Sequence, residues 1–127
     1  MKPIKKKGQM EAEISNAMVQ FEKEYMGRGP IETKTYIMDD MILVRLNGVL
    51  THAEQQLAKN PTGTELIKKI RANLLEQARA LLIETIEKIV PVKVVSLHTD
   101  ISTKTGERVI IFTLMENLEQ QLSNHFS

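Results

Sequence analysis

Three polar residues at alternate positions, Ser96, His98 and Asp100, form the most suggestive chemical pattern in the chain. If they lie in a β-strand, their side chains share one face, because side chains alternate along a strand. A histidine beside a carboxylate can orient its imidazole, supply two metal ligands, or bind an anion as imidazolium. Two ligands do not make a zinc site, and no nucleophile stands in the order that catalysis requires. The pattern predicts either a ligand-contacting or subunit-contacting surface, or simply a polar strand face at a sheet edge.

Two further short motifs carry charge at predicted turns. Arg28 stands between glycines in Gly27-Arg28-Gly29-Pro30, where a guanidinium could bind an anion or could simply be solvated on a rigid turn. Asp39-Asp40 offers paired carboxylates, which suit Mg²⁺ or Ca²⁺. One adjacent pair falls far short of a calcium loop, so we interpret these aspartates as turn residues.

The remaining candidate segments and residues argue against phosphate-loop, metal and thiolate sites. The segment 102–107, Ser-Thr-Lys-Thr-Gly-Glu, lacks the Gly-x-x-x-x-Gly-Lys-Ser/Thr order of a phosphate-binding loop and is predicted to join two strands. His52 and His125 have no metal-ligand neighbours at useful spacing. The chain contains no cysteine, which excludes disulfides and thiolate sites. We therefore expect no catalytic residue, no metal and no cofactor.

These residues must be positioned by helices and strands that the hydropathy pattern predicts. Strand-like segments form two β-hairpins, with Asp39-Asp40 as the first turn and Gly106 supplying positive φ in the second. Thr51 and Glu54 match a capping box at a helix start. The segment Pro61-Thr-Gly63 predicts the break after that helix. The predicted hairpins are 31–38/41–47 and 92–101/107–114, and the predicted helices are 9–26, 51–59 and 64–90.

The long helix 64–90 has an unusually wide apolar face. One stripe and an adjacent second stripe together span roughly 160° at about 100° per residue. A second covering surface is expected, either helix 9–26 or another subunit. The two stripes are Ile67, Ile70, Leu74, Ala78, Leu81 and Ile89, and Leu75, Leu82 and Ile86. The strand 107–114 is apolar on both sides, which predicts a central strand covered on both faces.

The order of these elements predicts an α+β fold with a four-stranded antiparallel sheet. The 127 residues fit a single domain, which we place at 9–115, after a basic flexible N-terminus at 1–8 and before a short C-terminal helix or tail at 116–127.

The net charge of +1 and the scarcity of aromatic residues argue against a nucleic-acid partner. No apolar run approaches the ~20 residues of a membrane span, and no signal core follows the basic start. We expect a cytoplasmic protein.

Several sequence blocks together resemble one bacterial family, called MpsC-like and described as component C of a Na⁺-translocating membrane-potential-generating system. The resemblance covers about residues 10–115. The blocks, in order, are Gly27-Arg28-Gly29-Pro30, Asp40-Met-Ile-Leu-Val-Arg-Leu46, Gly48-Val-Leu-Thr51 with Glu54, Val95-Ser-Leu-His-Thr-Asp-Ile-Ser102 and Thr105-Gly-Glu-Arg-Val109.

This resemblance implies a soluble, non-catalytic accessory subunit of a sodium-moving membrane system linked to inorganic-carbon uptake. It implies a cytoplasmic protein held at the membrane periphery by a membrane-protein partner, and the wide apolar surfaces add an expected homodimer. The alternative is a small-ligand or anion-binding regulatory module that uses Arg28 with the strand of His98 and Asp100. The candidate ligand or interface residues lie inside the family blocks: Arg28, Asp40, His98, Asp100, Glu107 and Arg108.

Overall fold

A computed structural model describes residues 5–126 and confirms the α+β fold. Four helices accompany one four-stranded antiparallel sheet, whose strands lie in the order β1-β2-β4-β3. Each hairpin supplies two neighbouring strands, and β2 pairs with β4 to join the hairpins. The elements are α1 (Lys7–Met26), β1 (Glu32–Met38), β2 (Met41–Asn47), α2 (His52–Leu57), α3 (Pro61–Ile89), β3 (Val94–Ser102), β4 (Glu107–Leu114) and α4 (Leu118–Phe126).

Turn and capping residues act as the sequence predicts. Gly27 ends α1 with a φ of 86°, and Gly106 closes the β3–β4 loop with a φ of 75°. Asp39 carries the first hairpin turn with a φ of 52°, in the left-handed region that aspartate tolerates better than most residues. Thr51 and Glu54 exchange the two hydrogen bonds of a capping box at the start of α2.

The start of the long helix differs from the prediction. Pro61 is the first residue of α3 and does not act as a break, because the first helical position needs no backbone N–H donor. Asn60 caps this start, with its side-chain oxygen 2.8 Å from the Gly63 nitrogen. Gly63 sits so close to the Leu57 backbone that an added Cβ would lie 1.8 Å from the Leu57 carbonyl oxygen. A glycine is therefore required where α2 and α3 meet.

The helices lie on one face of the sheet. α1 packs mainly over β1 and α3 over β3, and the two helices also contact each other. Between the helices and the sheet lies an aliphatic core that includes Ile14 and Met18 of α1, Leu82 of α3, and Ile42 and Phe112 of the sheet. The prediction that β4 is central is confirmed, but the helices cover only one of its faces.

The buried stripe of α3 is rotated from the predicted one. Ile70 is 53% exposed and Leu81 is also exposed, whereas Arg71 occupies a buried position between Ile67 and Leu75. The second covering surface expected for this helix is partly supplied by α1. The buried positions of α3 are Gly63, Ile67, Arg71, Leu75, Ala78, Leu82 and Ile86.

The ends of the described chain are ordered by contacts between α1, α4 and the first hairpin. The predicted flexible segment 1–8 lies partly outside the described residues, at 1–4, while Lys7 and Gly8 already belong to α1. Glu119 of α4 accepts hydrogen bonds from the Lys7 ammonium at 2.8 Å and from the Asp39 backbone at 2.9 Å. These bonds place the predicted C-terminal helix beside the β1–β2 turn.

Candidate functional site

The strand predicted to carry Ser96, His98 and Asp100 is β3, at one edge of the sheet, and all three side chains face away from the helices. His98 and Asp100 are exposed. The His98 Nε2 lies 3.1 Å from the Ser96 hydroxyl, which also bonds the Thr113 hydroxyl. Asp100 accepts a hydrogen bond from the Ile101 backbone N–H at 2.8 Å. The arrangement is a polar row on an open strand face.

Arg28 and Asp40 take part in chain turns. The Arg28 guanidinium is half-buried and donates to the Leu50 carbonyl at 2.9 Å, which ties the end of α1 to the chain after β2. Asp40 is exposed, and its carbonyl accepts from the Leu114 N–H at 2.8 Å. Within residues 5–126, no hydrogen bond or ion pair joins Arg28 to His98 or Asp100. The anion-binding module that combines Arg28 with the β3 strand of His98 and Asp100 stays a prediction.

Glu107 and Arg108, adjacent in β4, point to opposite faces of the sheet. Glu107 accepts from Arg45 on the open face, with its Oε2 2.7 Å from Nη2 and 3.1 Å from Nε. Arg108 points under the helices and is 2% exposed. The alternation of a strand therefore separates two charged neighbours into a surface ion pair and a buried cluster.

The buried cluster joins Arg108 to three residues from the three helices that precede β4. Glu22 comes from α1, Glu54 from α2 and Arg71 from α3, and Glu22 and Arg71 are 0% and 1% exposed. Two arginines and two glutamates balance in formal charge. We call this set, Glu22, Glu54, Arg71 and Arg108, the ionic cluster.

Arg71 and Glu54 form its strongest contact. The Arg71 Nε and Nη2 lie 2.8 and 2.7 Å from the two Glu54 carboxylate oxygens, a paired geometry that only a guanidinium offers. Nη2 also donates to the Val49 carbonyl at 2.9 Å. Burial raises the pKa of Glu54, but the hydrogen bonds from Arg71 and Thr51 outweigh it and hold that pKa below its ordinary value.

Glu22 is bound more loosely. Its Oε2 lies 3.6 Å from the Arg71 Nη1 and its Oε1 lies 3.7 Å from the Arg108 Nε, which are ion-pair distances and longer than hydrogen bonds. Both oxygens and the facing Arg71 Nη1 and Arg108 Nε are buried without a hydrogen-bond partner. Burial raises the pKa of Glu22, with the charges of Arg108 and Arg71 opposing it, and burial lowers the pKa of Arg108.

The ionic cluster lies between the helices α1, α2 and α3 and the strand β4, and its ion pairs hold these elements together. Removing one partner would leave a charge uncompensated in the core, so each member fixes the position of the others. Among the residues of the structure from 5 to 126, no group of three His, Asp or Glu side chains is placed to hold a metal ion. The sequence predicts only Arg108 of this cluster as a candidate site residue, and it predicts Glu54 as a helix-capping residue. The missed signal is a charged residue at an apolar helical position: Arg71 lies four residues from both Ile67 and Leu75.

The open face of the sheet is the second notable feature. Its middle is apolar, although helices cover only the opposite face. Arg45, Lys34, His98 and Asp100 surround this middle and are all exposed. The apolar residues of the open face are Tyr36, Met38, Met41, Leu43, Val109 and Ile111.

Comparison with known proteins identifies a family. The family model described as "Na⁺-translocating membrane potential-generating system (MpsC)" matches residues 6–116. The uncharacterised protein YbcI of Bacillus subtilis (strain 168) is 46% identical over 118 residues, which are 93% of this chain and 95% of that protein. The uncharacterised protein YrhF of the same strain is 26% identical over 110 residues, 86% of this chain and 90% of that protein.

No solved structure matches the chain significantly. Across the described part of the chain, no helix has the length and apolar character required to cross a membrane. The family match spans both hairpins and the three helices that build the ionic cluster. The resemblance seen in the sequence blocks is thus confirmed, and the chain belongs to the MpsC family.

Proposed function

We propose that this protein is a non-catalytic accessory subunit of the Na⁺-translocating membrane system after which its family is described. In this role it acts as a homodimer on the cytoplasmic side and binds a membrane-protein component of that system. Family membership supports the link to sodium translocation. The observation that carries an interaction role is the one-sided sheet, because six apolar side chains lie on a face that no helix within residues 5–126 covers.

The distribution of charged residues also supports binding over catalysis. Glu54 and Arg71 are bonded to each other inside the fold, and Arg28 and Glu107 are bonded to groups of the chain. A catalytic acid or base must reach a substrate proton within hydrogen-bond distance. Side chains committed to structural partners are poorly placed for that task, whereas an extended half-apolar face is typical of a surface that meets another protein.

A gene deletion tests this role. In a bacterium that carries the gene, we expect deletion to abolish the sodium-dependent part of the membrane potential, measured with a potential-sensitive dye as potassium replaces sodium in the medium. The wild-type gene should restore it, and so should the Lys88→Ala variant, which changes only an exposed ion pair on α3. An unchanged sodium-dependent potential in the deletion strain would contradict the proposal.

Membrane fractionation tests the partner. We expect the protein to sediment with membranes from wild-type cells and to remain in the supernatant when the other components of the system are deleted. Sedimentation that is independent of those components would argue against an accessory subunit held by a membrane-protein partner.

A further inference from the structure

The open face is organised in rows that run across all four strands. The register pairs Tyr36 with Leu43, Leu43 with Ile111, and Ile111 with His98, which gives one row from β1 to β3. The row on one side of it is Met38, Met41, Thr113 and Ser96. The row on the other side is Lys34, Arg45, Val109 and Asp100. Apolar side chains therefore fill the centre of the face and reach the β1 edge at Tyr36 and Met38, whereas polar ones lie along the β3 edge and at Lys34 and Arg45.

The size of the face suits a protein interface. Four strands about 4.8 Å apart and seven residues about 3.3 Å apart cover roughly 19 by 23 Å. Two such faces in contact bury roughly 870 Å² if treated as flat, and the uneven side-chain surface raises this area towards the ~1,000 Å² that a specific interface needs. The apolar middle with a charged margin also has the composition of such interfaces.

The charges of the third row are divided between its ends. Lys34 on β1 and Arg45 on β2 are basic, and Asp100 on β3 is acidic. Glu107 adds a second acid on β4, where it pairs with Arg45. Glu32 lies on β1 beyond this row, and its Oε1 is 3.4 Å from the Lys34 Nζ. One half of the face is therefore basic along this row, and the other half is acidic.

This division makes the face complementary to itself in one orientation. A two-fold axis that runs between two facing sheets, parallel to the strands, keeps each row at its height and exchanges its ends. It places Lys34 of one copy opposite Asp100 of the other, and Tyr36 opposite His98. A two-fold axis in the plane of the interface and perpendicular to the strands would instead place β1 of one copy over β1 of the other, and β3 over β3.

We propose that a second copy of this chain covers the open face, with β1 of each copy over β3 of the other. The two sheets then pack face to face with aligned strands, as in a β-sandwich, and the apolar rows form its middle. Two Lys34–Asp100 pairs, one at each side of the axis, select this orientation. This surface assignment rests on the homodimer of the proposed function and locates its interface, but it does not depend on the link to sodium.

Pairing through the sheet edges is less favoured. At the free edge of β1, the Ile37 N–H already donates to Glu11 of α1 at 2.8 Å. At the free edge of β3, the register shifts between Val94 and Ser96, and such an irregularity opposes the addition of another strand. Both edges are thus partly blocked, while the open face is not.

Sedimentation equilibrium of the purified chain and its variants tests the assignment. We expect the wild-type protein to have twice the 14.4 kDa mass of the chain. The Ile111→Lys variant should have the mass of one chain, because it places a charge in the middle of the interface. The matched control, Ile70→Lys, changes an equally large side chain that is exposed on α3, and it should remain dimeric.

A charge exchange tests the orientation. Lys34→Glu and Asp100→Lys should each raise the dimer dissociation constant by about tenfold or more, because each brings like charges together. The chain that carries both substitutions should recover most of the wild-type affinity. Since both positions are exposed, these variants should fold even if Ile111→Lys does not, which far-UV circular dichroism would show.

Three results would each overturn the proposal. One is a wild-type protein that remains a monomer at concentrations well above micromolar. Another is a folded Ile111→Lys variant that remains a dimer, which would place the interface at an edge or on the helices. The third is a double variant that associates no better than either single variant.

Discussion

Each face of the sheet departs from the usual relation between polarity and burial at a few positions. The covered face holds Arg108 at 2% exposure beneath the helices, while the open face leaves Val109 and Ile111 half-exposed on the same strand. The arginine is buried where three other charged residues meet it. The apolar side chains are only half-buried, because no helix of the described part of the chain covers that face.

The difference shows how each face is completed. On the covered face, charges from α1, α2, α3 and β4 balance one another, so the chain itself completes the site. On the open face, residues 5–126 of one chain supply no layer that covers the apolar rows. A buried charge in the monomer is thus compensated by contacts inside the fold. The apolar side chains left on the surface are expected to be compensated by contacts with another molecule.

The largest expected effect is on the covered face. Replacing Arg71 with alanine should lower the free energy of unfolding by about 3–5 kcal/mol, because it leaves Glu22 and Glu54 without their shared counter-charge. The measurement is urea unfolding followed by circular dichroism. The control Lys88→Ala, which removes an exposed pair with Glu84 on the same helix, should cost about 0.3–0.5 kcal/mol. Equal losses for the two variants would show that the cluster does not stabilise the core.

Two adjacent isoleucines in β4 compare the faces with the same residue type. Ile110 is 0% exposed on the covered face, so Ile110→Ala should cost about 2–5 kcal/mol at any protein concentration. Ile111→Ala should cost less than Ile110→Ala in dilute solution. Its cost should grow with protein concentration, because the second copy stabilises only the associated state. Thermal unfolding at two concentrations measures this, and a cost of Ile111→Ala that is the same at both would contradict the comparison.

The smallest effect separates the two glutamates of the cluster. The pKa of Glu22 is raised above its ordinary value of 4.5, chiefly by burial, so its folded form holds the proton longer than the unfolded chain. Its contribution to stability is therefore lost as the pH rises above 4.5 and through the folded pKa. The pKa of Glu54 is lowered, so its contribution is present above 4.5 and is lost as the pH falls through the folded pKa.

Glutamine variants report these opposite slopes. Relative to wild type, Glu22→Gln should become more stable as the pH rises above 4.5, and Glu54→Gln should become less stable as the pH rises towards 4.5. Urea midpoints over this pH range measure both. The charges of Arg71 and Arg108 that face Glu22 remain in each variant, whereas Glu54→Gln also removes the Glu54 charge, which raises the pKa of Glu22. Slopes of the same sign would refute the distinction between the two carboxylates.

The sequence predicts local structure well because local structure depends on neighbouring residues. Gly27 and Asp39 turn the chain, and Thr51 caps α2, through contacts within a few residues of each. The ionic cluster could not be predicted in this way, since Glu22, Arg71 and Arg108 meet only after distant elements pack. The rotation of the α3 stripe has the same origin. A pattern that counts only apolar residues excludes Arg71 from the buried face and admits Ile70, which is exposed.

The pair of Glu54 and Arg71 has a consequence for folding cooperativity. α2 has six residues, none of them buried, and so short a helix would open readily by itself. Its capping carboxylate is also the bonded partner of an arginine in the core. The first turn of α2 should therefore open only with the global transition, and the amide protons of Glu54 and Gln55, which donate to Thr51, should exchange as slowly as those of α3.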